Sequence, residues 1–143
     1  MKSLLTVVAV LLLLSSCATA PSGAARTPLT SDVKPLSGQW AGVFTSHEMV
    51  SALGMVEAPA RLTLTDDGRF TLTSSGGTVA SGVARPTARG LVLEGRLTVG
   101  DPMAVGREVS FDLRPRGANA LFGEGQFFYL GHRVDTEILL RRS

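Results

Sequence analysis

From Gln39 to the C-terminus the apolar side chains recur at every second residue, and each alternating run ends in a cluster of turn-forming residues. A period of two sends successive side chains to opposite faces of an extended chain, so this region reads as strands with one apolar face each. Trp40, Gly42 and Phe44 share a face of the first run. Leu62 and Leu64 alternate with Arg61, Thr63 and Thr65, and Asp66-Asp67-Gly68 supplies a tight turn before Phe70 and Leu72. Ser74-Ser75-Gly76-Gly77 leads into a strand from Thr78 to Ala84, which Pro86 ends, and Ala88-Arg89-Gly90 turns the chain again. Leu91, Leu93, Leu97 and Val99 share the face of a run bent at Gly95, and a loop from Gly100 to Gly106 follows. Val109, Phe111 and Leu113 alternate next, and Arg116-Gly117-Ala118-Asn119 turns. A strand from Leu121 to Leu130, a Gly131-His132 turn and a closing strand through Val134, Thr136, Ile138 and Leu140 complete the chain.

About eight strands with short connections predict an all-β fold, an antiparallel up-and-down meander in which each strand pairs with the next. Strands with one apolar face each close into a small barrel, which removes exposed edges; a β-sandwich of two sheets is the alternative. Glycines within strands, at Gly42, Gly95, Gly123 and Gly125, suit the corners of a sharply curved sheet. The segment Ser46 to Ala58 departs from the alternation. Met49, Val50, Leu53 and Val56 have rough helical spacing there, which predicts a one- or two-turn helix or an apolar loop folded over one end of the barrel.

Ahead of the strands, Lys2 precedes an apolar run from Leu4 to Leu14 broken only by Thr6, and small residues follow. The run is far shorter than the ~20 residues that cross a bilayer as a helix, so it reads as the core of a secretory signal. Cleavage after Ala18-Thr19-Ala20 would fall before Pro21, whose fixed φ and missing N–H fit poorly in a protease that binds its substrate extended. Leu14-Ser15-Ser16-Cys17 lies directly after the apolar run and resembles the lipobox of bacterial lipoproteins. That resemblance implies a signal peptide over 1–16, Cys17 diacylated as the first mature residue, and the lipid membrane as a partner through those chains. Ala18 in place of an Asp after the cysteine implies, by the same resemblance, the outer membrane of the cell envelope, with the domain in the periplasm. Cys17 is the only cysteine, so no intramolecular disulfide forms, and acylation occupies a thiol that an oxidising compartment would otherwise attack. Residues 17–36 carry Pro21, Pro28 and Pro35 in an Ala-, Ser- and Thr-rich stretch without apolar period, which predicts a disordered tether ahead of a domain over 37–143.

Of the 14 Lys and Arg, Lys2 leaves with the signal, and 13 remain against 12 Asp and Glu. So small an excess is no footprint for nucleic acid. Twelve of the basic residues are Arg, scattered between strands and interleaved with acids rather than gathered into a clamp.

The start of the domain, Leu36-Ser37-Gly38-Gln39-Trp40-Ala41-Gly42, resembles the Gly-x-Trp start of lipocalins and calycin-like barrels. The resemblance implies that Trp40 lies across the closed end of an eight-stranded barrel, with Arg141 or Arg142 of the last strand packed on its ring. A cation over an indole face is favourable in its own right.

No nucleophile elbow, phosphate-binding loop or dinucleotide fingerprint occurs, so no catalytic residue and no cofactor is expected. His47-Glu48 begins like a metalloprotease motif, but Ser51 stands where the second His is required. His47, Met49, Met55, Met103 and His132 are soft donors, yet their spacing fits no ligand motif. Apolar packing by the methionines, and no metal, is the expectation. In Gln126 to Leu130, alternation puts Phe127 and Tyr129 on one face and Phe128 and Leu130 on the other; either the strand is buried on both faces or covered by the Ser46 to Ala58 segment, or the set not used by the core forms a partner patch. The expected role is a non-enzymatic binding or interaction module with an envelope protein as partner. The alternative is a lipocalin-like carrier of a small apolar ligand, with Trp40, Phe44, Met49, Leu53 and Phe127 near the pocket.

Overall fold

The computed structural model describes residues 32–46, 56–74, 77–129 and 132–143. A 3₁₀ turn (Lys34–Leu36) leads into β1 (Gly38–Ser46), β2 (Val56–Leu64), β3 (Arg69–Ser74) and β4 (Val79–Pro86). Then follow β5 (Leu91–Val99), β6 (Glu108–Pro115), β7 (Ala120–Tyr129) and β8 (His132–Arg142). Each strand pairs antiparallel with the next, and β8 returns to pair with β1, closing the barrel. The meander expected from the alternation is present, and closure excludes the sandwich.

Alternation sets which side chains fill the interior. Leu62 and Leu64 of β2 and Phe70 and Leu72 of β3 are buried, while Arg61, Thr63 and Thr71 between them face solvent. Leu91 and Leu93 of β5, Phe111 and Leu113 of β6, Leu121 of β7, and Ile138 and Leu140 of β8 complete the wall-to-wall packing. Burying each such side chain fully contributes about 1.5–3 kcal/mol of hydrophobic stabilisation, and the hydroxyl-bearing and charged outer faces keep the barrel wetted.

Two glycines show how so narrow a barrel accommodates rings. A Cβ at Gly125 would stand 2.2 Å from the Ser110 carbonyl oxygen and 2.3 Å from Cδ1 of Phe111, so the bare backbone is what lets Phe111 lie across β7. At the β2–β3 turn, Gly68 has φ +81°, a conformation other L-residues adopt only with strain. The Thr65 hydroxyl donates to the Asp67 carboxylate in that turn, and the Arg69 N–H donates to Thr65 Oγ1 at 3.0 Å. These contacts, the Thr65 hydrogen bond foremost, hold the Asp67 carboxyl below its ordinary pKa of 3.8.

Three expectations change. The packed chain reaches back before Ser37: Val33 is buried, Lys34–Leu36 forms a 3₁₀ turn, and Leu36 packs against the core, where a disordered stretch was expected. Val99 does not share the face of Leu97. The pairing with β4 shifts register between Val79 and Ala80, which turns Val99 out to 53% exposure at the end of β5. His132 pairs with Tyr129 as the first residue of β8 instead of forming part of the turn. In the segment predicted as helix or loop, Ser46 ends β1 and Val56 begins β2; residues 47–55, with Met49 and Leu53, lie outside the described residues. So do Cys17 and the other residues up to 31, Leu130 and the side chain of Phe128.

Candidate functional site

The strand directions give the barrel two unlike ends. At one end are the N-terminal turn, the C-terminus and the connections 65–68, 87–90 and 116–119; at the other are Ser46, Ser74, Val99 and Tyr129, where β1, β3, β5 and β7 end, and the connection 100–107.

At the first end, Trp40 spans the interior and is 1% exposed. Its indole Nε1 donates to the Leu36 carbonyl at 3.0 Å, which satisfies the one polar group the ring would otherwise bury. The Arg142 guanidinium lies 4.7 Å from the centre of the Trp40 ring, and its Nη2 donates to the Pro35 carbonyl at 2.9 Å. Of the two arginines that the resemblance left open, Arg142 is the one on the ring. Backbone bonds from Arg142 to Asn119 (3.0 Å) and from Ser143 to Gln39 (2.9 Å) tie down the last residues. This end is shut by hydrogen bonds as well as by packing.

At the other end three rings from three strands meet inside the barrel. Phe44 stacks on Phe127 at 5.3 Å between centroids, Phe44 and Phe111 are 5.7 Å apart, and Phe111 and Phe127 are 6.4 Å apart. Phe127 is half-buried and packs on the core from the open side. Beside the rings, Ser46 Oγ donates to the Asp135 carbonyl and Thr136 Oγ1 to the Val134 carbonyl, both at 3.3 Å, so these two buried hydroxyls are already paired. The loop 100–107 is pinned to the rim by Ala104, which is buried, and by bonds from Met103 N to Asp101 Oδ1 (2.9 Å) and Gly106 N to the Leu97 carbonyl (2.8 Å). Its tip presents Met103 at 76% exposure with Val105 beside it.

Of the residues named for a pocket, Phe44 and Phe127 therefore come together, while Trp40 sits at the far end of the same strand. Four residues of β-strand separate Trp40 from Phe44, about 13 Å. Phe111 was missed as their companion. Its inward direction was readable from alternation, but only the register brings β1, β6 and β7 around the same level of the barrel.

Two open depressions of the described surface lie outside, on the wall of β6, β7 and β8. One, about 490 Å³, is bordered by Asp112, Glu124, Asp135 and Glu137 with Arg114 and Gln126; the other, about 510 Å³, by Arg116, Asn119, Ala120, Leu139 and Arg141. Asp112 Oδ2 is 3.4 Å from Arg114 Nη2, and its Oδ1 is hidden from solvent without a donor. Among the described residues no group of three or more His, Cys, Asp or Glu side chains is arranged to hold a metal ion.

No known protein family and no curated protein matches this chain. Among solved structures, the chain is similar to the siderocalin Ex-FABP, which functions through dual ligand specificities. The match has 11% sequence identity and a TM-score of 0.39, and covers 76% of this chain and 71% of that one.

Proposed function

We propose that this protein is an envelope lipoprotein whose barrel is a non-enzymatic binding module that meets its partner with its rim or outer wall. The observation that carries this reading is the interior: Trp40 spans one end and the Phe44–Phe111–Phe127 cluster fills the other, with leucines packed between. An eight-stranded barrel is just wide enough for its own side chains to fill, and binding then belongs to surfaces, an envelope protein being the partner. The signal and lipobox-like segment supports anchoring through acylated Cys17 in the outer membrane, the barrel facing the periplasm. Two or more acyl chains hold firmly where one does not. Metabolic labelling with an alkyne fatty acid tests the anchor. The native chain takes the label and Cys17→Ser does not, and a Cys17→Ser chain that still labels overturns the anchor.

A second reading has one observation in its favour. Phe127 is half-buried on the inner face at the open end, so its ring offers a shallow apolar seat above Phe44 for a small apolar ligand. Trp40 lies too deep at the opposite end to report on such a ligand, so quenching of its fluorescence is a poor assay. Mass measurement of the intact protein under native conditions is the suitable one: a non-covalent apolar ligand retained one-to-one supports the carrier and argues against the filled barrel.

A further inference from the structure

Basic residues that are scattered along the sequence are sorted in space. At the Trp40 end, Lys34 lies in the N-terminal turn, Arg89 and Arg116 in the 87–90 and 116–119 connections, and Arg141 one residue before the end of β8. Arg61 is in register with Arg141 through Ala41, on the outer wall of the same side. All five are exposed, and among the described residues none of them is in an ion pair. The acids of this end are fewer. Asp67 is bridged to Arg69 at 3.3 Å, Asp66 precedes it in the 65–68 connection, and the Asp32 carboxylate accepts from the Lys34 backbone N–H at 3.0 Å. The opposite end has no such excess of cations: Arg96 is bridged to Glu108 at 3.3 Å, and Arg107 and Arg133 share that end with Glu57, Asp101 and Asp135.

Unpaired cations gathered at one end of a small domain fit an anionic surface. The course of the chain says which one. Residue 32 lies at this end, and residues 18–31 separate it from Cys17, a stretch that spans at most about 50 Å. A nine-residue strand is about 30 Å long, so turning the far end toward Cys17 would use about half of that reach along the wall. Bringing the Trp40 end to Cys17 uses none of it. The open depression of about 510 Å³ bordered by Arg116, Asn119 and Arg141 leaves room for a headgroup phosphate, which guanidinium donors suit. We propose that the Trp40 end rests on the anionic headgroups of the membrane that holds Cys17, so that Met103 and the rim beside Phe127 face away from it. This inference rests on the acylation proposed for Cys17, and not on the state of the barrel interior.

The test uses the acylated chain, purified from its host and reconstituted into vesicles of phosphatidylcholine with or without phosphatidylglycerol. A photo-reactive phenylalanine derivative at position 118 sits in the turn that follows Arg116; the same probe at position 103 sits at the opposite end. The expected result is lipid adducts from position 118 on the vesicles with phosphatidylglycerol, roughly tenfold fewer on phosphatidylcholine alone, and none from position 103 on either. Raised salt lowers the yield at 118 in the same direction, because exposed charges are screened. Arg116→Gln with Arg141→Gln lowers it roughly tenfold, whereas Arg116→Lys with Arg141→Lys keeps the charge and most of the yield. Circular dichroism checks the fold; where the glutamine pair disturbs it, the comparison of the two vesicles on the parent chain decides alone. Adducts from position 103 in place of 118, equal yields from the two vesicles, or a folded glutamine pair without effect overturns the proposal. A chain purified without acyl groups overturns the anchor and this inference together; an acylated chain that fails the vesicle comparison overturns this inference alone.

Discussion

The two ends of this barrel are packed by different physics. At the Trp40 end the seal is polar as well as apolar: the indole N–H, the Arg142 guanidinium and the last backbone amides each have a stated partner among residues 35–39 and 119. At the Phe44 end the filling is ring against ring, and the two buried hydroxyls turn to carbonyls of β8 rather than across the opening. A hydrogen-bonded seal is directional and fails when one partner is removed, because the other is left buried and unpaired. Ring against ring accepts a wider range of distances and tilts than a hydrogen bond does. The contrast assigns scaffolding to the first end and adaptability to the second.

Trp40→Ala breaks the contrast at its strong side. It removes the largest buried side chain, strands the Leu36 carbonyl and takes the surface from under Arg142, and the expected loss is about 3–5 kcal/mol in denaturant unfolding. Phe127→Ala at the other end is expected to lose only about 2 kcal/mol, because a half-buried ring surrenders less transfer free energy. Equal losses would erase the distinction between the ends. Gly125→Ala sharpens the account of the rings: its Cβ meets the Ser110 carbonyl and the Phe111 ring, and overpacking of this kind costs about 1–3 kcal/mol. If that variant is as stable as the parent, Phe111 does not lie across β7 as described. Arg142→Met keeps an apolar stem but loses the guanidinium contacts, with an expected loss of about 1 kcal/mol. The smallest effect is at the β2–β3 turn. The Asp67 carboxyl is depressed in the folded state, so its contribution is present above the ordinary carboxylate value of 3.8 and is lost as pH falls through its lower folded value. The turn's contribution to stability in denaturant unfolding should therefore fade as pH falls below 3.8, and Asp67→Asn should flatten that dependence.

Much of the fold was legible because period two leaves little choice. Once Trp40, Leu62, Phe70, Leu93, Phe111 and Ile138 are assigned to one side, eight short-linked strands have few ways to bury them, and closure is the one without edges. What alternation does not encode is register. It placed Val99 with Leu97 because nothing in the residues announces the irregularity opposite Val79 and Ala80. It set Phe44, Phe111 and Phe127 on inner faces without showing that they share a level, and it could not show that Arg61 and Arg141 stand in one row outside. The start of the domain was set too late for a different reason: Pro35 reads as a tether breaker, yet proline is well suited to the first turn of a 3₁₀ helix. Choosing Arg142 over Arg141 needed only parity, since residues 138, 140 and 142 share the inner face of β8.

The central claim is that the barrel interior is occupied by its own side chains, and mass measurement of the intact protein under native conditions tests it most directly. The account predicts the mass of the covalent chain alone, with nothing further released on collisional activation. A small apolar molecule held one-to-one, and lost when Phe127 is changed to Trp, would contradict it.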